Sequence, residues 1–177
     1  PHNGRIAVAH SVLNETQYDS IVFVPTNIPA HKPRADRITP EDRLSMVELA
    51  CMDTPGFLFD SCDIERGGVS YSIDTLRDIS VRYDIADTIG FILGDDLVDG
   101  FHAWRQAEKF AASVELIVAH RLSMATVPFQ YPHFYLSNEL HPYTSRNIRS
   151  IVKLGRSIAH MVPPRVEEYI LDGCLYR

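Results

Sequence analysis

The segment Tyr143-Thr144-Ser145-Arg146-Asn147-Ile148-Arg149 sets two hydroxyls ahead of a helical stretch whose first turn carries two arginines three residues apart. Amide groups at a helix start, hydroxyls and guanidinium forks together suit a polyanion. A solvated surface helix explains the same residues in isolation. Two arginines at the positive end of a helix dipole are nonetheless unfavourable unless an anion joins them, which tilts the segment towards phosphate binding.

Three further segments could carry chemistry. Gly94-Asp95-Asp96 ends an apolar run. Its glycine admits a ligand close to the backbone, and an aspartate there either accepts from ribose hydroxyls, holds metal-bound water, or caps the next helix. Gly67-Gly68-Val69-Ser70-Tyr71-Ser72-Ile73-Asp74-Thr75 places glycines and hydroxyls before a helix; Ser72 is a cap or an anion ligand, and Tyr71 has no capping role. Pro25-Thr26-Asn27-Ile28-Pro29-Ala30-His31-Lys32-Pro33-Arg34 sets cations among prolines, where a solvated loop is the simpler reading and a phosphate or carboxylate site the other. Trp104, the only tryptophan, stands ten residues beyond Gly94 and either stacks on a flat heterocycle or belongs to the core. The patterns GxGxxG, GxxxxGK[ST] and HExxH do not occur, and the eight histidines show no metal-ligand spacing.

The elements that must position these groups alternate. Helical spacing over 5–16 is followed by a short apolar strand over 21–24. Thr39 caps a helix with Pro40 at its first position, Asp42 as the capping-box acid, and Leu44, Val47 and Cys51 on the buried face. A strand follows over 57–64, a helix over 74–83 and a strand over 89–93. Then come a helix over 104–112, strands over 114–119 and 133–136, and helices over 143–154 and 163–171, the last stopped at Asp172-Gly173. Strands apolar on both faces, alternating with helices, predict an α/β fold with a doubly wound, Rossmann-like parallel sheet and ligands at its carboxyl edge.

Length and composition agree with that architecture. The chain has 177 residues, 45% of them apolar, and 17 Lys+Arg against 23 Asp+Glu give a net charge of −6. A single domain over 1–177 is expected, with no repeat or linker to divide it. The acidic balance excludes a general nucleic-acid binder, and the apolar runs are far too short to span a bilayer. Three widely spaced cysteines, Cys51, Cys62 and Cys174, suit a reducing, cytoplasmic setting rather than a disulfide framework.

Taken in order, the segments resemble the bacterial nicotinate mononucleotide adenylyltransferases of the HxGH nucleotidyltransferase superfamily. The HxGH motif corresponds to His2-Asn3-Gly4-Arg5 and the PxxxPPHK loop to 25–32; RxxMxxLA is 43–50, and SYTxDTL is Ser70-Tyr71-Ser72-Ile73-Asp74-Thr75-Leu76. GxD follows at Gly94-Asp95-Asp96, then Trp104, ISSTxIR at 143–149, and P-x-x-V-x-x-Y-I at 163–170. Arg5 replaces the second motif histidine, Ser72 the SYT threonine, and Arg146 the last hydroxyl of ISST. The family's opening strand and GGxFxP loop do not appear. A strand and loop of about 10–15 residues are therefore expected before Pro1, giving a chain of about 190 residues, because a βα unit cannot begin at its helix. Without that central strand the chain as given is expected to fold poorly.

The resemblance implies adenylyl transfer from ATP to nicotinate mononucleotide, giving deamido-NAD and pyrophosphate in NAD biosynthesis. His2 and Arg149 would be catalytic. Gly4, Arg5, Gly94, Asp96, Ser145, Arg146 and Arg149 would bind ATP, and Lys32, Tyr71, Ser72 and Trp104 the mononucleotide. Mg²⁺ would arrive with ATP, and no protein metal site is expected. The partners are the two nucleotides, with no nucleic acid and no membrane; a homo-oligomer stays open. A pantetheine-phosphate adenylyltransferase and a non-catalytic nucleotide-binding paralogue are the alternatives. The net charge of −6 implies that cations concentrate at His2, Arg5, Lys32, Arg146 and Arg149.

Overall fold

The computed structural model of the chain describes residues 1–30, 38–85, 87–121 and 123–176. In chain order the elements are α1 (Asn3–Glu15), β1 (Ile21–Phe23), β2 (Ile28–Pro29), α2 (Pro40–Cys51), β3 (Phe57–Phe59), α3 (Cys62–Arg66) and β4 (Val69–Ser70). They continue with α4 (Ser72–Arg82), β5 (Ile89–Gly94), α5 (Ala107–Ala111), β6 (Val114–Ala119), β7 (His133–Tyr135), α6 (Ser145–Lys153) and α7 (Pro164–Asp172).

Every ladder among the described residues is parallel: β1 with β3, β2 with β4, and β5-β6-β7 as a three-stranded sheet. The side chains of β6 alternate between two cores, as the sequence predicts. Leu116 and Val118 join Leu93, Phe101 and Phe110 on one face, while Ile117 and Ala119 join Ala9, Val12 and Leu136 on the other. A third core gathers Met46 and Ala50 of α2, Ile148 and Val152 of α6, and Val166 and Ile170 of α7. The sheet is divided: β1 and β5 share no ladder among the described residues. Ile21, Val22 and Phe23 from β1 and Ile89, Gly90, Phe91 and Ile92 from β5 line one cavity of about 1140 Å³.

Several expected boundaries are corrected. The strand expected over 57–64 stops at Phe59, because the Asp60 carboxylate accepts from Cys62 N–H at 2.7 Å and starts α3. The helix expected over 104–112 begins only at Ala107, since Gln106 takes a left-handed φ of 56° and the preceding 101–103 form a 3-10 turn. On α2 the buried residues are Met46, Ala50 and Cys51; Leu44 and Val47 are half-buried, so the inward stripe is rotated from the expected one. The capping box at Thr39 and Asp42 forms as expected, each backbone N–H bonded to the other's side chain at 3.0 Å.

Candidate active site

Parallel register brings Gly94, at the end of β5, level with Ala119, at the end of β6. The residues after each strand therefore meet the start of α1 at one edge of the sheet. His2 is the N-cap residue of α1 and is 5% exposed, with no partner for its Nδ1. Burial, then the Arg5 cation and, more weakly, Arg121 and His141, push its pKa down to about 3. The imidazole is therefore neutral at ordinary pH, able to donate a hydrogen bond but carrying no charge. His2, Gly4, Arg5, Ser72, Gly94 and Arg121 line the same cavity. Desolvation inside it, together with Arg121 and Arg149, lowers the Arg5 pKa, with Asp96 acting in the opposite direction.

Arg121 is absent from the residues singled out in the sequence. Its backbone N–H donates to the buried Asp95 carboxylate at 3.0 Å, and its Nη1 lies 3.2 and 3.3 Å from the two oxygens of Asp96. Neither aspartate caps a helix: Gly94 holds the cap position of the short 3-10 turn over 95–97, with no side-chain cap bond. Gly94 makes the pair fit, since a Cβ there would collide with Asp96 Oδ1 and lie 2.7 Å from Cδ of Arg121. The signal that would have found Arg121 is its position two residues past a predicted strand, the loop position at which such sheets bind ligands.

At α6 the hydroxyl that caps the helix is Thr144, whose Oγ1 accepts from Asn147 N–H at 3.1 Å. Ser145 is the first residue of the helix, with Arg146 exposed and Arg149 half-buried. Of these two arginines, Arg149 is the one that enters the field of Arg5. At α4 the reading of Ser72 as a cap is corrected: Tyr71 holds the N-cap position, without a side-chain cap bond, and Ser72 is the first helical residue. The ring of Tyr71 lies under the Arg105 guanidinium at 4.7 Å. Ser70 is tied to the Pro25 loop through its Oγ, which accepts from Asn27 N–H at 2.8 Å. Trp104 packs on Phe101 with ring centroids 4.9 Å apart and meets Phe91 edge-on at 6.0 Å. Neither Tyr71 nor Trp104 lines the cavity that holds His2. Lys32 lies outside the described residues.

The cations of His2's cavity stand at the carboxyl edge of parallel strands in an α/β fold, and the cytidylyltransferase-like family of nucleotidyltransferases matches residues 1–151. The chain belongs to that family. Within it, the chain is similar to nicotinate-nucleotide adenylyltransferases. A Borrelia hermsii protein named probable nicotinate-nucleotide adenylyltransferase is 34% identical over 175 residues, covering 99% of this chain and 91% of the relative. A Lactiplantibacillus plantarum protein of the same name is 31% identical over 176 residues, covering 99% and 82%. Among solved structures, the Plasmodium falciparum nicotinic acid mononucleotide adenylyltransferase complexed with NaAD shares the fold, with a TM-score of 0.75, 16% identity and coverage of 99% and 91%.

Proposed function

We propose that the chain transfers the adenylyl group of ATP to nicotinate mononucleotide, releasing pyrophosphate and forming deamido-NAD. The observation that carries this reading is the convergence of His2, Arg5 and Arg121 on one cavity, with Arg149 in reach of Arg5, in a chain similar to such enzymes along its length. The attacking mononucleotide phosphate has a second pKa of about 6, so it is already an anion near neutrality and needs no strong base. Positioning and charge neutralisation then supply the catalysis.

Neutral His2 donates to the α-phosphate as its charge builds. Arg5 and Arg149 stabilise the departing pyrophosphate, with Ser145 and Arg146 at the same helix start, and Gly4 and Gly94 let the nucleotide approach the backbone. Asp96 accepts from the ribose hydroxyls. Tyr71 and Trp104 frame the pyridine ring, with Ser72 and Lys32 towards its anionic groups. No group of three or more His, Cys, Asp or Glu among the described residues is placed to hold a metal ion. In this reading Mg²⁺ would arrive on the triphosphate, where it would supply charge neutralisation. No helix among the described residues is long and apolar enough to cross a membrane. Buried thiols at Cys51 and Cys62 suit a cytoplasmic setting.

Pyrophosphate release with ATP and Mg²⁺, offered nicotinate mononucleotide, nicotinamide mononucleotide and phosphopantetheine in turn, tests the reading. Release with nicotinate mononucleotide is the expected result. Release only with phosphopantetheine assigns the other enzyme, and release with none of the three assigns a nucleotide-binding paralogue.

A further inference from the structure

We propose that Arg121 is a switching cation: the counter-ion of Asp96 while the cavity is empty, and a ligand of the polyphosphate once a nucleotide enters. This rests on the adenylyl-transfer reading for the nature of the nucleotide, but its geometry stands apart from it. The anchor and the tip of the side chain are held differently. The backbone N–H is fixed on Asp95, which is 4% exposed, whereas the guanidinium meets Asp96 through Nη1 alone, with both side chains about a third exposed. An ion pair of that exposure contributes little and is readily exchanged. A phosphate offers the guanidinium a two-point partner of higher charge than the single carboxylate of Asp96.

The electrostatics point the same way. Arg121 lowers the pKa of both His2 and Arg5, so in the empty site it adds to a crowd of like charges, against which Asp96 acts at Arg5. Asp96 cannot give its oxygens fully to ribose hydroxyls while Nη1 bridges them. Arrival of a nucleotide resolves both conflicts, because the ribose takes the carboxylate and the phosphates take the guanidinium. The paired arrangement depends on Gly94, whose missing side chain is replaced by Asp96 Oδ1 and the Arg121 stem.

Inorganic pyrophosphate, which has phosphates and no ribose, separates this role from simple support of Asp96. Calorimetric titration of the full chain with pyrophosphate should show binding that weakens roughly tenfold or more in Arg121→Ala and only a few-fold in Arg121→Lys, which keeps the charge but not the fork. Asp96→Asn, which releases the guanidinium, should tighten pyrophosphate severalfold while weakening adenosine. Equal pyrophosphate affinity in Arg121→Ala, no pyrophosphate binding by the unmodified protein, or no tightening in Asp96→Asn overturns the proposal. Failure of the adenylyl-transfer reading shows separately, as no pyrophosphate release from ATP with any acceptor; Arg121-dependent pyrophosphate binding would stand in that case.

Discussion

Gly4 and His141 meet backbone against side chain: a Cβ at Gly4 would lie 2.9 Å from Cβ of His141 and 3.3 Å from Nδ1 of His2. In the first turn of α1, replacing glycine by alanine ordinarily favours the helix by about 1 kcal/mol. Here the obstacle is a Cβ, which cannot rotate away, so the contact outweighs propensity and His2 is displaced with it. Gly4→Ala is expected to lower the melting temperature by about 2–4 °C for each kcal/mol lost, the scale for a domain of this size, and to reduce turnover. Pairing it with His141→Gly should restore part of both. A Gly4→Ala protein that melts above the unmodified one would show that the neighbour yields freely.

His2 gives a prediction for pH with a definite sign. Its folded pKa is depressed to about 3 from an ordinary 6.5, so between those values the unfolded chain holds a proton that the folded one excludes. The stabilisation is fully present above pH 6.5 and is lost as pH falls towards 3, at up to about 1.4 kcal/mol per pH unit. Denaturant midpoints measured from pH 7.5 down to 4.5 should fall, and His2→Asn should flatten that slope. The same logic leaves kcat without a His2 ionisation between pH 6 and 9. A slope of equal size in His2→Asn would assign the acid sensitivity to other groups.

The two arginines of α6 should behave differently, although their spacing alone sets both in the first turn of one helix. Arg149 is half-buried and lies in the field of Arg5, while Arg146 is exposed. Arg149→Ala is expected to cut kcat by about a hundredfold or more, the scale of removing a preorganised donor from developing charge, with the circular dichroism spectrum unchanged. Arg146→Ala should cost only a few-fold and lose that effect as salt is raised. Near-normal kcat/KM for ATP in Arg149→Ala would remove this residue from the triphosphate site.

What could be read from the chain was what its neighbours decide locally. The Thr39 and Asp42 capping box needs only residues three apart, and the apolar runs of β5 and β6 announce strands buried on both faces. β2 and β4 leave no mark in the sequence, because strands of two residues, one of them holding Pro29, make no pattern. The strand over 57–64 was overextended because its apolar character continues past the turn that Asp60 makes. At the site, Gly94 and Asp96 stand out in the sequence because they end an apolar run, and His2 and Arg5 only through the HxGH resemblance. Arg121 does not, because its partner Asp96 is 25 residues away and is chosen by the parallel register of β5 on β6.

Trp104 stands between two roles that one spectrum separates. It is half-buried against Phe101, Phe91 and Phe110, so one side of its indole belongs to the core while the rest of the residue reaches solvent. Adding nicotinate mononucleotide is expected to quench its emission, since it is the only tryptophan and a stacked pyridine accepts excitation. An unchanged spectrum at saturating ligand would leave Trp104 as a core residue alone.

Asp63 braces the start of α4 from beneath. It is 2% exposed, accepts from Thr75 Oγ1 at 2.6 Å and pairs with Arg66, which also pairs with Asp78 of α4. That network ties α3 to the helix whose first residue is Ser72. Removing Asp63 leaves Arg66 with Asp78 as its remaining carboxylate and takes the acceptor from Thr75 Oγ1, so Asp63→Ala is expected to cost about 2 kcal/mol, read as a drop in denaturant midpoint. Thr75→Val should cost about 1 kcal/mol, because only one hydrogen bond is lost. The double variant should fall well short of the sum, since the two residues share that bond. If instead the losses add, the Asp63–Thr75 bond is not what couples the helices, and the stabilisation belongs to Arg66 and its two carboxylates.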